Sequence, residues 1–515
     1  LSTVARAVSG PKQPNERHPL SSLPAIVKGL GPSKGPSLRT GDIVIASITS
    51  CTNTSNPEAM IAAGLLARAA RQRGLTVSRR IKTSLAPGSR AVRGYLRNLG
   101  LLEDLEALGF HIVAFGCTTC VGNSGELDRE LLAVIEEEGA IVASVLSGNR
   151  NFEARIHPQI RANFLASPPL VIAYALAGTM EIDLNEEPIG SDQEGRPVML
   201  DELWPENHDV QAAIRSTVTA DLFQETAAKI SDGGSDWQRL DAPRGADFAW
   251  NANSTYLCKP PFFDQGPLVQ DSYSLVKDAR PLLLLGDGIT TDHISPVGRI
   301  ARESPAALYL SRRGVAPEDF NTYGARRGNH EVMTRGAFAN TLLENRLTDR
   351  RGGWTRMFPS GKDMTIFDAA KLYAQQGERT VVLAGRQYGA GSARDWAAKG
   401  TRLLGVVAVI AESFERIHRA NLVRMGILPV QLGGGSIKST FNSGADPRVS
   451  IKLLGPSLVP RAELQVELAL AEEIEHKPAV LAIETQDEIA YLVSGGILPF
   501  VAERLFQNID GAHHE

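Results

Sequence analysis

Cys51, Cys117 and Cys120 are the residues of this chain whose type and spacing could do the most distinctive chemistry; they lie in SITSCTNTSNP (47–57) and AFGCTTCVGNSG (114–125). A cubane iron–sulfur cluster held by four cysteines is closed, whereas three thiolates leave one iron open to bind substrate or water. An open iron is a Lewis acid. Cys117 and Cys120 form a CxxC between the apolar, strand-like run 112–115 and a turn rich in Gly, Asn and Ser, so both sulfurs can converge from one loop. Cys51 also follows an apolar run, 43–48, and strand ends in open α/β sheets are where ligand sites form. A zinc site, a redox CxxC and buried free cysteines are the competing readings. A fourth cysteine, Cys258, even permits a closed, all-cysteine zinc site, so spacing alone leaves these alternatives open.

The elements that must position these residues follow from periodicity. Between residues 43 and 178, short apolar runs (IVIASI, HIVAF, IVASVL) alternate with helical stretches, the pattern of a parallel α/β layer. One helix is predicted with Asn56 as N-cap and Pro57 at its first position, carrying Met60, Ile61, Leu65 and Leu66 inward and stopping near Gly74. Another spans 126–138 and ends at Gly139. Residues 186–275, rich in Gly, Pro, Asp and Ser and including SDGGSDW (231–237), read as a linker with local structure. A second domain then begins, in which VVLAG, VVAVIAES and ILPVQL bracket helices over 392–404 and 414–425. Shorter strands and a closing helix near 499–506 follow. In YGAGSARDW (388–396), Gly389 and Gly391 permit a tight turn, Ser392 is placed to cap the helix, and Arg394 falls in its first turn. A helix N-terminus offers N–H groups and partial positive charge to a carboxylate. A plain capping serine beside a surface arginine is the other reading of those letters.

Composition bounds the answer without choosing it. A chain of 515 residues, 43% hydrophobic and 22% charged, reads as soluble and globular with two or three domains. A formal net charge of −4 makes no case for nonspecific nucleic-acid binding. No 18-residue uninterrupted apolar run and no signal-peptide pattern occur, so membrane insertion and secretion are disfavoured. Four cysteines in so long a chain suit a reducing compartment, and a cytoplasmic setting is expected.

The runs SCTNTSNP, GCTTCVGNSG, SGNRNFEARIHP (147–158), GDGITTDHISP (286–296), RRGNHEVMTRGAFAN (326–340) and YGAGSARDWAAKG (388–400) resemble the aconitase superfamily, in its aconitase A and iron-regulatory-protein branch. The motifs recur in that family's order from near residue 1 to about residue 430. The resemblance implies an α/β fold: a parallel-sheet, cluster-binding region over 1–185, a linker over 186–275 and a C-terminal swivel β/α domain over 276–515. It implies a [4Fe-4S] cluster on Cys51, Cys117 and Cys120, with one iron not ligated by cysteine. It also implies that the family's first two domains have no counterpart here, so the chain is expected to need them in cis or as a partner chain and to turn over poorly alone.

The same resemblance assigns the remaining site. The serine matching Ser392 acts as base, Asp292 matches an active-site carboxylate, and His293 beside it could form a carboxylate–imidazole pair or a purely structural one. Asn149, Arg150, Arg155, Arg335 and Arg394 match residues that hold a tri- or dicarboxylate; guanidinium suits that task because its planar fork makes two parallel hydrogen bonds. Asn53 and Asn123 follow the cysteines as ligand-side amides or as ordinary turn residues. Three positions depart from the family: Ala393 stands where a second serine commonly contacts substrate, Ala390 where a serine or threonine is frequent, and Ala154 where glycine is usual. The implied reaction is dehydration and rehydration of a hydroxy polycarboxylate, foremost citrate and isocitrate through cis-aconitate. A methylated analogue or another aconitase-like isomerisation is the alternative that Ala393 leaves open. Two readings from other classes are an iron-responsive RNA-binding protein, which the net charge does not support, and a noncatalytic remnant.

Overall fold

The computed structural model describes residues 6–49, 56–151, 155–157, 159–241, 245, 247–263, 274–392, 394–434, 446–470 and 473–512. Two compact units divide the chain, residues 1–244 and 245–515.

The first unit is built on a six-stranded sheet in the order Arg17–Pro19, Ala7–Ser9, Ala162–Leu165, Ala143–Leu146, Ile43–Thr49, Lys82–Ala86. Its last four strands are parallel, as the repeating apolar runs predict. Every residue of Ile43–Thr49 is buried, which is why that strand reads as a continuous apolar run and not as an alternation. The helix Pro57–Gln72 forms as expected: the Asn56 side chain accepts the Glu58 N–H, and Met60, Ile61 and Leu66 are buried. Its Gly64 lets the helix Leu101–Ala107 approach, since a Cβ there would stand 2.7 Å from that of Leu101.

Three expectations for this unit need correction. The run 112–115 is no strand: Ile112 makes one isolated bridge to Leu85, and the chain then bends at Gly116 (φ 94°), leaving Val113 and Phe115 exposed. The helix expected over 126–138 starts at Arg129, because the Asp128 carboxylate caps it by accepting the N–H groups of Glu130 and Leu131. The stretch expected as a linker with local structure packs in its first part, while its described residues from 219 to 263 are mostly exposed. It holds a hairpin (Gly190–Ser191 with Pro197–Val198) and the helices Leu200–Leu203, Asn207–Thr217 and Ala220–Ala228. Val198, Leu200, Leu203 and Val210 from this stretch lie in the first unit's core.

The second unit closes into a barrel in the order Thr380–Ala384, Val406–Ala411, Leu428–Leu432, Glu473–Leu481, Glu463–Leu470, Arg448–Leu453, Ser274–Leu284. The strands Ser274–Leu284, Thr380–Ala384, Val406–Ala411 and Leu428–Leu432 pair in parallel, and the other three close the circle antiparallel. Helices Asp395–Leu403 and Arg416–Arg424 connect successive parallel strands, so both begin at the carboxyl-end rim where ligand sites form. The closing helix is longer than expected, Ile497–Ala512. Among the described residues no single helix is long and apolar enough to cross a membrane.

Arg419 clamps the helix Arg416–Arg424 to the helix Gln486–Val493: its two terminal nitrogens reach the Glu488 carboxylate at 2.9 and 2.8 Å, with the two side chains 10% and 16% exposed. Burial acts to raise the Glu488 pKa, but the bonds from Arg419 and from the Glu484 N–H outweigh it and the net shift is downward. A depressed carboxylate stabilises the fold above its unfolded pKa and loses that contribution as pH falls through the folded one. Glu488→Gln is therefore expected to lower stability in urea unfolding by roughly 2–3 kcal/mol at pH 7, with the gap to wild type narrowing below about pH 4; a pH-independent gap would contradict this account.

Candidate active site

The cysteine loop hangs from the edge of the first unit's sheet. Gly116 turns the chain into Cys117, a single 3-10 turn spans Thr119–Val121, and Gly122 (φ 78°) turns it out again. A Cβ at Gly122 would lie 2.7 Å from the Arg155 carbonyl, so only glycine fits there. Cys120 is buried, its thiol donating to the Asn149 Oδ1 at 3.3 Å, while Cys117 is half-buried. The loop is tied down by neutral hydroxyls. Thr119 Oγ1 lies 2.8 Å from Ser47 Oγ and accepts from Ser124 Oγ, also at 2.8 Å, and Ser47 Oγ lies 2.9 Å from Ser84 Oγ. Thr49, the last residue of its strand, donates from Oγ1 to the carbonyl of Gly116, the neighbour of Cys117, at 3.0 Å. The strand Ile43–Thr49 thus ends beside the cysteine loop.

Arg155, 7% exposed, donates from Nε to the Cys120 carbonyl at 2.7 Å. Arg150 donates to the Asn149 carbonyl at 2.9 Å. Cys117, Cys120, Asn149, Arg150 and Arg155 are therefore gathered as the sequence predicts, and Asn123 serves the turn, its N–H reaching the Thr118 carbonyl. Cys51, Asn53, Ala154 and Ala393 lie outside the described residues. Cys117 and Cys120, two soft donors on one loop, are of the kind an iron–sulfur cluster takes. Among the described residues no three His, Cys, Asp or Glu side chains are grouped to hold a metal ion. Cys258 lies in the second unit, its N–H on the Gly328 carbonyl.

The serine side is a cavity of about 140 Å³ in the second unit, lined by Thr291, Ser392, Arg394, Arg416 and His418 among others. Three strand-end segments line it, and direct bonds tie two of them together. The Thr291 N–H donates to the Ala390 carbonyl and its hydroxyl to the Ser392 carbonyl, both at 2.8 Å. Arg394 ties the same loops with charge, pairing with Asp292 at 2.5 Å and donating to the Ser295 carbonyl at 2.7 Å. These contacts overturn the expected cap. The helix begins at Asp395 with Arg394 as its extended N-cap (φ −131°), and Ser392 stays outside it, held by Thr291 between the positive-φ residues Gly389 and Gly391 on one side and the Arg394 anchor on the other.

His293 takes part in a local cap. Its Nδ1 lies 3.1 Å from both the N–H and the hydroxyl of Thr290, and its own N–H donates to that hydroxyl. Burial lowers its pKa against the opposing pull of Asp292, so the ring is neutral with Nδ1 accepting, and any proton chemistry falls to Nε2. Arg335 is not among the residues lining the Ser392 cavity. It pairs with Glu331 and lies over the rings of Tyr309 and Phe367, at 4.6 and 4.4 Å. Sequence reasoning missed Thr291 and His418. Thr291 adjoins a motif residue and could have been flagged; a histidine inside an amphipathic helix gives no such signal.

Two family profiles match the chain: the Aconitase family (aconitate hydratase) over residues 1–178, and the Aconitase C-terminal domain over 306–434. The chain is 47% identical over 522 residues to aconitate hydratase A of Legionella pneumophila, covering 98% of this chain and 58% of that protein. Against aconitate hydratase A of Pseudomonas aeruginosa it is 48% identical over 466 residues (90% of this chain, 51% of that one). The Thermus thermophilus aconitate hydratase A gives 46% over 528 residues (97% and 58%). The chain spans somewhat more than half the length of these relatives.

The Arg155 anchor on the cysteine loop can be tested without any cluster. In the apo protein, Arg155→Ala is expected to speed alkylation of Cys120, followed by mass spectrometry, by about tenfold, equivalent to about 1.4 kcal/mol less protection, with a smaller effect at the half-buried Cys117. Equal acceleration at both thiols would indicate general unfolding instead.

Proposed function

The chain belongs to the aconitase superfamily, and on that premise we propose that it is the cluster-bearing and serine-bearing portion of an iron–sulfur hydro-lyase that interconverts citrate and isocitrate through cis-aconitate. The observation that carries this reading is the Ser392 cavity, where a serine held out of a helix shares a small polar pocket with an arginine fixed by a half-buried carboxylate. In this reading the first unit is the cluster-binding α/β region and the barrel is the swivel domain. The remaining domains are supplied in cis or by a partner chain. Reduced thiols of this kind agree with a cytoplasmic setting.

Cys51, Cys117 and Cys120 would hold a [4Fe-4S] cluster, which when bound supplies a Lewis-acidic iron. The chain's own residues do the rest. Ser392 removes the proton from the carbon next to the departing hydroxyl, and it returns a proton in the reverse direction. A serine hydroxyl is too weak a base unless its alkoxide is stabilised. Arg394 and the start of the helix Asp395–Leu403 supply positive charge for that purpose. Asp292 keeps the Arg394 guanidinium in place, with side-chain exposures of 14% and 11% on the two partners. Arg150, Arg155 and Arg335 are assigned to substrate carboxylates, each through the fork geometry that carboxylates match. The proton and the hydroxide leave and return in equal number, so no electron acceptor is required.

The test uses the full-length protein, reconstituted anaerobically with iron and sulfide and followed at the ultraviolet absorbance of cis-aconitate. Citrate and isocitrate should turn over, Cys117→Ser should abolish turnover, and Ser392→Ala should lower kcat by about 10²–10⁴-fold. Preference for 2-methylisocitrate would move the substrate to the methylated analogue. A loaded cluster with no turnover on any of the three would refute the reading.

A further inference from the structure

His418 lies in the helix Arg416–Arg424, borders the Ser392 cavity and is 1% exposed, yet neither ring nitrogen has a hydrogen-bond partner among the described residues. Buried polar groups are almost always satisfied, because leaving one unpaired is costly. Packing, not hydrogen bonding, fixes this ring. It lies against Tyr388, with centroids 5.3 Å apart, and so close to Gly389 that a Cβ there would stand 2.3 Å from the His418 Cδ2. Neither nitrogen is spent on the described protein, so the donor and acceptor of a ring that borders the cavity remain for a ligand. Burial holds the imidazole neutral, with a pKa lowered to about 4, so it presents one N–H donor and one lone pair.

The surroundings select an anion. The cavity lies at the N-termini of two nine-residue helices, Asp395–Leu403 and Arg416–Arg424, and neither N-cap residue, Arg394 or Glu415, makes a side-chain cap. Arg394 is paired with Asp292 and Arg416 is accompanied by Glu415, so the bias toward an anion comes from the two helix starts and not from net side-chain charge. A volume of about 140 Å³ accommodates a carboxylate group. We propose that His418 is a ligand-binding residue of this pocket, its ring N–H donating to a carboxylate oxygen seated beside Ser392 at the start of the two helices. This inference rests on the hydro-lyase reading only in taking that carboxylate to be the substrate's.

The test is calorimetric binding of propane-1,2,3-tricarboxylate, which has no hydroxyl to lose, to full-length cluster-loaded protein. His418→Phe fills the same space without a donor and should weaken binding at least tenfold, while His418→Gln, which keeps an N–H, stays within about threefold of wild type. In turnover, the Phe variant should raise KM by more than it lowers kcat. Unchanged tricarboxylate affinity in the Phe variant overturns the proposal. Should that variant fail to fold, wild-type protein with 15N-labelled histidine decides: the His418 ring resonances move on adding the tricarboxylate but not on adding equal chloride, and no movement overturns the proposal. Ser392→Ala separates the two readings. It should lose turnover yet bind the tricarboxylate. If neither it nor wild type binds, the hydro-lyase reading and this inference fall together; if wild type, Ser392→Ala and His418→Phe bind equally, only the role of His418 falls.

Discussion

An arginine and an aspartate, both almost removed from solvent, hold the serine pocket together. Arg394 pairs with Asp292 and reaches on to the Ser295 carbonyl, so one guanidinium joins the loop leaving Ser274–Leu284 to the loop leaving Thr380–Ala384. Removing either partner would strand a buried charge, which costs several kcal/mol, whereas the intact pair is close to neutral in net stability. The pair is better understood as fixing geometry than as adding stability. Lysine could not replace the arginine, because a single ammonium lacks the planar fork that serves two acceptors in fixed directions. With Arg394 anchored this way its backbone stays extended, the helix cannot start before Asp395, and Ser392 is kept free of the capping role its position in the sequence invites.

The cysteine loop solves a similar positioning problem with neutral groups. Ser47, Ser84, Thr119 and Ser124 form a chain of hydroxyls under the loop, and Thr49 bonds the residue before Cys117. A hydroxyl can donate or accept, so each link that Ser47 makes in this chain can form with either member as the donor. It also adds no formal charge beneath sulfurs that must themselves ionise to bind metal. A charged anchor, Arg155, spends its Nε on the Cys120 carbonyl, which orients the backbone and leaves the thiol to be set by Asn149.

What was legible in the sequence followed from burial on both sides of an element. IVIASI, IVASVL, VVLAG and ILPVQL are strands because parallel strands covered on both faces read as unbroken apolar runs. The first long helix was equally plain, since Asn56 and Pro57 mark its start locally. Elements decided by distant partners were not legible. HIVAF has strand letters but only the end of one edge strand to pair with, so it makes a single bridge. Ser392 has the letters of a cap, and Thr291, a residue 101 positions away, takes its carbonyl instead. The barrel's antiparallel closure by Arg448–Leu453, Glu463–Leu470 and Glu473–Leu481 depends on strand order, which no local pattern encodes. In the region read as a linker with local structure, a turn-rich composition hid a few apolar residues, such as Leu203 and Val210, that dock its first part, while the described residues from 219 to 263 are mostly exposed.

Two buried histidines show why burial alone does not identify a functional group. In His293 and His418 alike, loss of solvent lowers the pKa, so both rings are neutral at physiological pH. Their hydrogen-bonding atoms have opposite fates. His293 gives its Nδ1 to the Thr290 amide, closing a short helix, and its place next to Asp292 in the sequence made it look like part of a catalytic pair. His418 gives neither nitrogen to the described residues, and its place inside an ordinary helix made it look like nothing at all. An imidazole whose lone pair is already spent on a cap is doing structural service. One whose orientation is fixed by Tyr388 and Gly389, with both nitrogens unspent at the edge of a positively biased cavity, retains its whole hydrogen-bonding capacity for a ligand. The physical criterion is where each donor and acceptor goes, and it can be read only after the fold has placed every neighbour.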